Sequence, residues 1–424
     1  MSAPHNATQS APGSASAEWR SFWFLPLVAA LGYATSVIHI YGIGPYIAPL
    51  QHEFNWTRAQ VSFGITVASC LSAIFCIPIG MLVDRIGPRR VGLLGVLLMC
   101  GALATVSTAT GSKANWIMLW AILALGTLCV HTTVWTSAVA SRFTQSRGLA
   151  LAVTLSGASV GVIVFPLLAT SLIAAYGWRT SFMLMAAIWA AIVFPLVLLF
   201  FRGAKDRART RVVATATTQA ALTGATFAEG IRSPALYKLL IAAGMFAFTL
   251  IGVLVHFVPI LTDSGAAPMQ AAGIASLIGI FSIVGRLSTG MLLDKFPAHL
   301  VGGIAFLIPI LACLLLLFDG ANHVSQALAA AIVGLTVGSE VDVVAYLAAK
   351  HFGLKNFGAL YGVLQMALMF GTAFGPLAAG VAYDHYGSYR PFLMLTIALM
   401  TVSSIALLSM KSAPSTYGEA VHAS

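Results

Sequence analysis

Twelve apolar runs, each about the length needed to cross a lipid bilayer, take up most of this sequence. Crossing ~30 Å of hydrocarbon takes roughly 20 helical residues at about 1.5 Å each. The runs are approximately 22–46, 59–83, 91–109, 116–139, 149–175 and 181–201, then 236–261, 271–293, 300–318, 324–349, 359–383 and 391–410. We number them spans 1 to 12. Of the 424 residues 59% are hydrophobic and 8% charged, where a soluble domain carries about 25% charge. The expected fold class is therefore an all-α membrane protein with twelve transmembrane helices.

The chain also repeats itself with an offset of 210. Pro49 pairs with Pro259, Gln60 with Gln270, Gly80 with Gly290, Asp84 with Asp294, Gly161 with Gly371, Pro166 with Pro376 and Gly177 with Gly387. An offset held across six spans predicts two pseudo-symmetric six-helix bundles in the same orientation. The expected units are a tail at 1–20, bundles at 21–202 and 234–411, a linker at 203–233 and a tail at 412–424. This is the plan of a rocker transporter whose site lies near the midplane between the halves.

The net charge of +10 does not point to nucleic acid. If the spans alternate, 17 of the 22 Lys and Arg fall on one side, among them Arg85, Arg89, Arg90, Arg142, Arg202, Lys295 and Lys350. The other side holds Arg58, Lys113, Arg179 and Arg390. Basic loops stay inside, so both termini are expected in the cytoplasm of a bacterium, with the spans in its inner membrane. The five cysteines lie within spans, and no group of residues has metal-ligand spacing. No cofactor is expected, and an enzyme is improbable.

One basic residue breaks the pattern. Arg286 lies inside span 8, with more than a turn of apolar helix on either side. A guanidinium in hydrocarbon costs at least a few kcal/mol and stays charged, so it marks a function by default. Counting from the loop ends, Glu340 and Asp342 of span 10 reach a similar depth, ten and eight residues before Lys350. An arginine fork fits a carboxylate bidentately. An ionised Glu340 or Asp342 competes for Arg286, while a protonated one frees it, so proton and anion bind together. The competing reading is a fixed ion pair holding spans 8 and 10 together. At 100° per residue the two acids lie about 200° apart, so at most one points straight into a cavity.

The segment Gly80-Met-Leu-Val-Asp84-Arg85-Ile-Gly87-Pro-Arg89-Arg90 resembles the signature loop between helices 2 and 3 of the major facilitator superfamily. Gly290 to Asp294 is its echo. The resemblance implies a conformational latch at Gly80, Asp84, Arg85, Gly87, Arg89, Arg90, Gly290 and Asp294. Tyr176-Gly-Trp178-Arg179, Phe54-Asn-Trp56-Thr-Arg58 and the stretch from His351 to Gly358 resemble bacterial monocarboxylate porters and oxalate:formate antiporters.

The resemblance implies that Arg286 is the substrate's partner. Four residues before that arginine many animal monocarboxylate porters carry a proton-coupling aspartate; here the position is Ser282. Oxalate transporters use a second cation in helix 11. Its absence between Gly358 and Tyr383 argues for one carboxylate. His39 and Tyr41 in span 1, His131 and Trp135 in span 4, Tyr346, Tyr361 and Gln365 are further candidates for substrate contact. The alternative for each histidine is a bond to a helix carbonyl, and for each aromatic, core packing. His256 is a candidate gate residue. The expected partners are a small organic anion, protons and the lipid bilayer, with the chain a monomer. An aromatic acid, anion exchange and an efflux carrier are the alternative readings.

Overall fold

A computed structural model describes residues 15–143, 145–202, 224–353 and 355–410. Among them every regular element is helical. Eleven helical stretches are long and apolar enough to cross a membrane. One of these, Arg147–Phe200, is 54 residues long, far more than one crossing needs. At Gly177 its backbone turns to φ 76°, ψ 164°, which ends one crossing and starts the next. The stretches therefore make twelve spans.

The repeat is visible in the backbone. Gly177 and its equivalent Gly387 both take positive φ, and so do Asn55 and its equivalent Gly265. Each pair closes a helix on the face opposite the basic loops, where the chain must turn back within a few residues.

Two apolar cores follow the same division. One is built from residues between Leu25 and Phe201, the other from residues between Leu236 and Met410. Each borrows one residue from the other half: Val255 of span 7 joins the first core, and Val162 of span 5 the second. Large apolar side chains such as Ile74, Leu125, Phe318 and Met394 stay exposed on the outside, as a lipid-facing surface requires. Within the expected linker, Phe227–Arg232 forms a short helix begun by a Thr226–Glu229 capping box. The rest of that linker from 203 to 223, and most of both tails, lie outside the described residues.

Small residues set how closely the helices cross. A Cβ on Gly157 would lie 1.9 Å from the Ala30 carbonyl oxygen, and one on Gly375 would lie 2.0 Å from that of Phe248. Spans 1 and 5, and spans 7 and 11, thus touch backbone to backbone.

Spans 4, 5 and 10 are broken within their length; span 5 parts at Ser156, between Arg147–Leu155 and Gly157–Phe200, and the breaks in spans 4 and 10 are equivalent. Span 4 runs as Lys113–Cys129 (4a) and Thr132–Ala140 (4b). Span 10 runs as His323–Val337 (10a) and Glu340–Phe352 (10b). The breaks fall within two residues of each other across the repeat. In span 4 the β-branched series Val130, Thr132, Thr133 and Val134 weakens the helix, and His131 turns extended at ψ 155°. In span 10, Gly338 and Ser339 mark the break, and the Ser339 amide closes a tighter turn onto the Thr336 carbonyl at 3.0 Å.

Candidate functional site: a polar cavity between the halves

A cavity of about 280 Å³ lies between the two bundles, at the depth of the breaks in spans 4 and 10. Spans 1, 2, 4 and 5 wall it on one side, and spans 7, 8, 10 and 11 on the other. Of the residues singled out in the sequence, His39, Tyr41, His131, Arg286, Glu340 and Gln365 line it. Interrupted helices facing each other at the midplane are where carriers of this plan hold their substrates.

Close crossing of spans 8 and 10 positions the charged group. A Cβ on Gly338 would sit 2.0 Å from the Ser282 carbonyl oxygen and 2.7 Å from the Arg286 nitrogen. One on Gly285 would sit 2.0 Å from the Leu335 carbonyl oxygen. The Thr289 hydroxyl donates to the Ser339 hydroxyl at 2.8 Å, tying span 8 to the break itself. Arg286 is thereby held beside Asp342.

The guanidinium is not tightly consumed. Its Nη1 lies 3.6 Å from Asp342 Oδ1, which is longer than a good charge-assisted bond. The Arg286 side chain is 13% exposed, yet its Nε has no hydrogen-bond partner among the described residues. Glu340, buried and lining the same cavity, likewise leaves Oε1 without one. His39 Nδ1 and Ser72 Oγ at the same wall also have no partner among the described residues; buried polar atoms are nearly always bonded, so four such atoms at one cavity mark it as a place for a polar ligand. Asp342 is the acid beside the arginine, and Glu340 is the one at the cavity wall.

We expect Gly338→Val to lower both thermal stability and transport, because the clash is with backbone that cannot swing away. Overpacking of this kind costs typically 1–3 kcal/mol. Gly273→Val is the control, since nothing lies within 4 Å of its Cβ position. Melting curves and uptake rates for both variants check this; equal behaviour of the two would refute the packing account.

Several expected contacts are placed differently. Trp135 does not reach the cavity. It is fully buried, its indole nitrogen donates to the Val130 carbonyl at 2.8 Å, and its ring packs over Gly32 and against Phe201. The break explains this: His131 caps 4b with non-helical backbone, so the two residues do not share a helix face. Tyr346 and Tyr361 are half-buried against the second core and are not among the lining residues. Sequence reasoning missed the hydroxyls at the wall, including Ser36, Ser72, Thr127, Thr132 and Thr372. Serine and threonine are common in membrane helices, so none stood out by type.

Ser282 is fully buried. It donates to Ser159 of span 5 at 2.6 Å, a bond between the halves near the cavity floor.

Beyond the cavity, the face opposite the basic loops is closed by a polar cluster. Arg58 forks onto Asp263 at 2.8 and 3.0 Å and donates to the Tyr389 hydroxyl at 2.7 Å. Its guanidinium also lies 3.5 Å over the Tyr383 ring. Asp384 accepts from the backbone amides of Arg58 and Ala59 at 2.8 and 2.9 Å, capping the start of span 2, Arg58–Ile86. His256 Nδ1 lies 2.7 Å from the Tyr389 hydroxyl, while its Nε2 is 3.0 Å from both the Pro376 carbonyl and the Ser62 hydroxyl. The Thr66 hydroxyl donates to the Ala373 carbonyl at 2.6 Å. Arg58, Ser62 and Thr66 thus stitch span 2 to spans 7, 11 and 12.

In the first half the equivalent of Asp263 is Glu53, which stays at home. It pairs with Arg179 at 2.6 Å and accepts from the Trp178 indole. One position of the repeat thus serves a bundle in one half and the gate in the other.

Of the signature loop, Gly87 takes φ 89° and starts span 3, while Arg89 donates to the Leu198 carbonyl at 2.7 Å. Arg85, Arg90 and Gly290 are exposed. The side chains of Gly80, Asp84 and Asp294 lie outside the described ones.

Residues 29–376 match the Major Facilitator Superfamily. An uncharacterized MFS-type transporter of Escherichia coli K12, YhjX, is 26% identical over 83% of this chain and 86% of its own length. Monocarboxylate transporter 13 of Rattus norvegicus is 24% identical over 92% of this chain and 88% of its own. A solved inward-facing structure of a bacterial homologue to the human lysosomal transporter Spinster superposes with a TM-score of 0.70. At 17% identity it covers 94% of this chain and 99% of that one, a likeness of fold. The chain is a multi-pass membrane protein that belongs to the Major Facilitator Superfamily, a family of transporters and not of enzymes.

Proposed function

We propose that this protein carries a small organic monocarboxylate together with a proton across the inner membrane of a bacterium, by alternating access. The observation that carries the reading is Arg286, a permanently charged fork at the wall of a cavity between the halves, with an unbonded Nε and only a loose acid partner. Likeness to monocarboxylate transporters over most of the chain supports the same substrate class. The cavity's size, at the low end of ligand pockets of ~300–1,000 Å³, favours a small acid. The cytoplasmic side is the basic one by charge bias, so the Arg58 cluster is the outer gate.

Coupling follows from competition for Arg286. When Asp342 is ionised it holds the guanidinium; when it takes a proton, the guanidinium turns to the substrate's carboxylate. Neither partner is then favoured alone, and the loaded pair carries no net charge across the membrane.

The test is uptake of labelled acids into proteoliposomes, with and without an inward proton gradient. Each pH unit is worth about 1.4 kcal/mol, so a two-unit gradient drives accumulation toward roughly a hundredfold in a one-to-one symporter. Wild type should concentrate at least one monocarboxylate under the gradient. Asp342→Asn should exchange labelled for unlabelled acid yet fail to concentrate it. Glu340→Gln should keep part of the gradient response. If both variants retain full proton dependence, the coupling scheme is wrong and His39 and His131 become the candidates. If no acid is taken up at all, the substrate class is wrong.

A further inference from the structure

A second cavity, of about 200 Å³, opens at the basic face of the first half, away from the site between the bundles. Its seven lining residues divide cleanly by chemistry. Arg142, from the turn after span 4, and Arg202, at the end of span 6, supply two guanidiniums. Phe22, Phe24, Leu25, Leu199 and Phe200 supply apolar wall. Among the described residues no carboxylate lines it.

We infer that this cavity holds an anionic phospholipid of the leaflet at the basic face, the two arginines taking the phosphate and the aromatic wall the start of the acyl chains. Three observations place a lipid there and not a soluble anion. The lining comes from the ends of spans 1, 4 and 6, at the level where hydrocarbon meets headgroups. Leu199 and Phe200 are 59% and 41% exposed on the outside of the bundle, so the wall runs on into the lipid-facing surface. Phe24 and Phe200 pack at 5.5 Å between ring centres, and Arg142 lies 5.3 Å over the Phe22 ring, leaving the second arginine at the rim.

Glu18 accepts from the Gln145 and Ser146 amides at 3.0 and 3.1 Å and from the Ser146 hydroxyl at 3.1 Å. It therefore braces the turn that bears Arg142. Basic pockets between membrane helices on the cytoplasmic side are suited to phosphorylated headgroups, with about 1 kcal/mol per basic residue near the surface. This inference does not depend on which solute the carrier moves.

The experiment is native mass spectrometry, with thermal shift, of the purified full chain titrated with phosphatidylglycerol, phosphatidylcholine and free glycerol 3-phosphate. Phosphatidylglycerol should bind and raise the melting temperature more than phosphatidylcholine, and glycerol 3-phosphate should do neither. Arg202→Gln, a change at an exposed residue, should weaken phosphatidylglycerol binding about fivefold, and the Arg142→Gln/Arg202→Gln pair about thirtyfold. Arg142→Lys, keeping the charge, should retain most of it. Equal binding of both lipids, or wild-type affinity in Arg202→Gln and the pair, overturns the proposal. A response to glycerol 3-phosphate matching that to the lipid would make the site one for a soluble phosphate and overturn the lipid assignment.

Discussion

Replacing Arg286 with alanine should lower carboxylate uptake, as Vmax/KM, by at least about a hundredfold while leaving the protein folded. The guanidinium cannot shed its charge, and it faces a cavity that excludes most water, with 13% of its side chain exposed. A carboxylate bound by its fork makes two charge-assisted hydrogen bonds, each worth roughly 1.5–3 kcal/mol, so their loss is worth two to four powers of ten. The substitution also leaves Asp342 without its cation, so an incoming anion then meets that carboxylate unopposed. Folding should survive, because the existing pair with Asp342 is long at 3.6 Å and that acid is 29% exposed. Arg286→Lys keeps the charge but loses the fork, so it should fall between the two. Melting curves taken beside the uptake assay separate a binding defect from a folding one. An alanine variant that melts like wild type and still carries acids at the wild-type rate would remove Arg286 from the site.

The parts of this arrangement that were legible in the sequence are those written locally. Arg286 stands out because one charge in an apolar run is a local fact. The two-bundle plan is legible because pairs such as Gly177 and Gly387 recur at a fixed offset, and both turn out to share a positive φ. Trp135 was misjudged for another cause. Placing Trp135 beside His131 assumed one unbroken helix. The extended backbone at His131 rotates everything after it, and no periodicity argument carries across such a break.

The partners of Arg58 were not legible for a simpler reason: it meets Asp263, Asp384 and Tyr389 at sequence separations of 205, 326 and 331. Only His256, read as a candidate gate residue, pointed toward this cluster, and its Nδ1 lies 2.7 Å from the Tyr389 hydroxyl. The chain has 12 acids, and two of them sit on Arg58 and its backbone.

Removing that arginine should open the closed face. A carrier that alternates between two states is biased by contacts made in one state only, and by no more than their difference in free energy. Arg58 makes such contacts: it lies in the first half, and its side-chain partners Asp263, Tyr383 and Tyr389 lie in the second. Breaking a buried ion pair costs about 3–5 kcal/mol. Asp263 is 32% exposed, so screening trims this to roughly 2 kcal/mol, or about thirtyfold in population.

The measurement is labelling of a single cysteine placed at Ser36 on the cavity wall, in a chain lacking its native cysteines, by an impermeant thiol reagent added from the face opposite the basic loops. Arg58→Ala should raise the labelling rate about tenfold or more and depress net uptake, since the return step loses its driving contact. Asp263→Asn should do less, because Arg58 keeps the Tyr389 hydroxyl and Asp384 still caps span 2. Glu53→Gln supplies the contrast: its partners Trp178 and Arg179 lie in its own half, so it should destabilise that bundle without changing which face is open. Labelling that stays at the wild-type rate in both Arg58→Ala and Asp263→Asn would mean that the cluster decorates the gate and the apolar crossing of spans 1 and 7 alone, where a Cβ on Gly44 would sit 2.8 Å from the Val255 carbonyl oxygen, holds it shut.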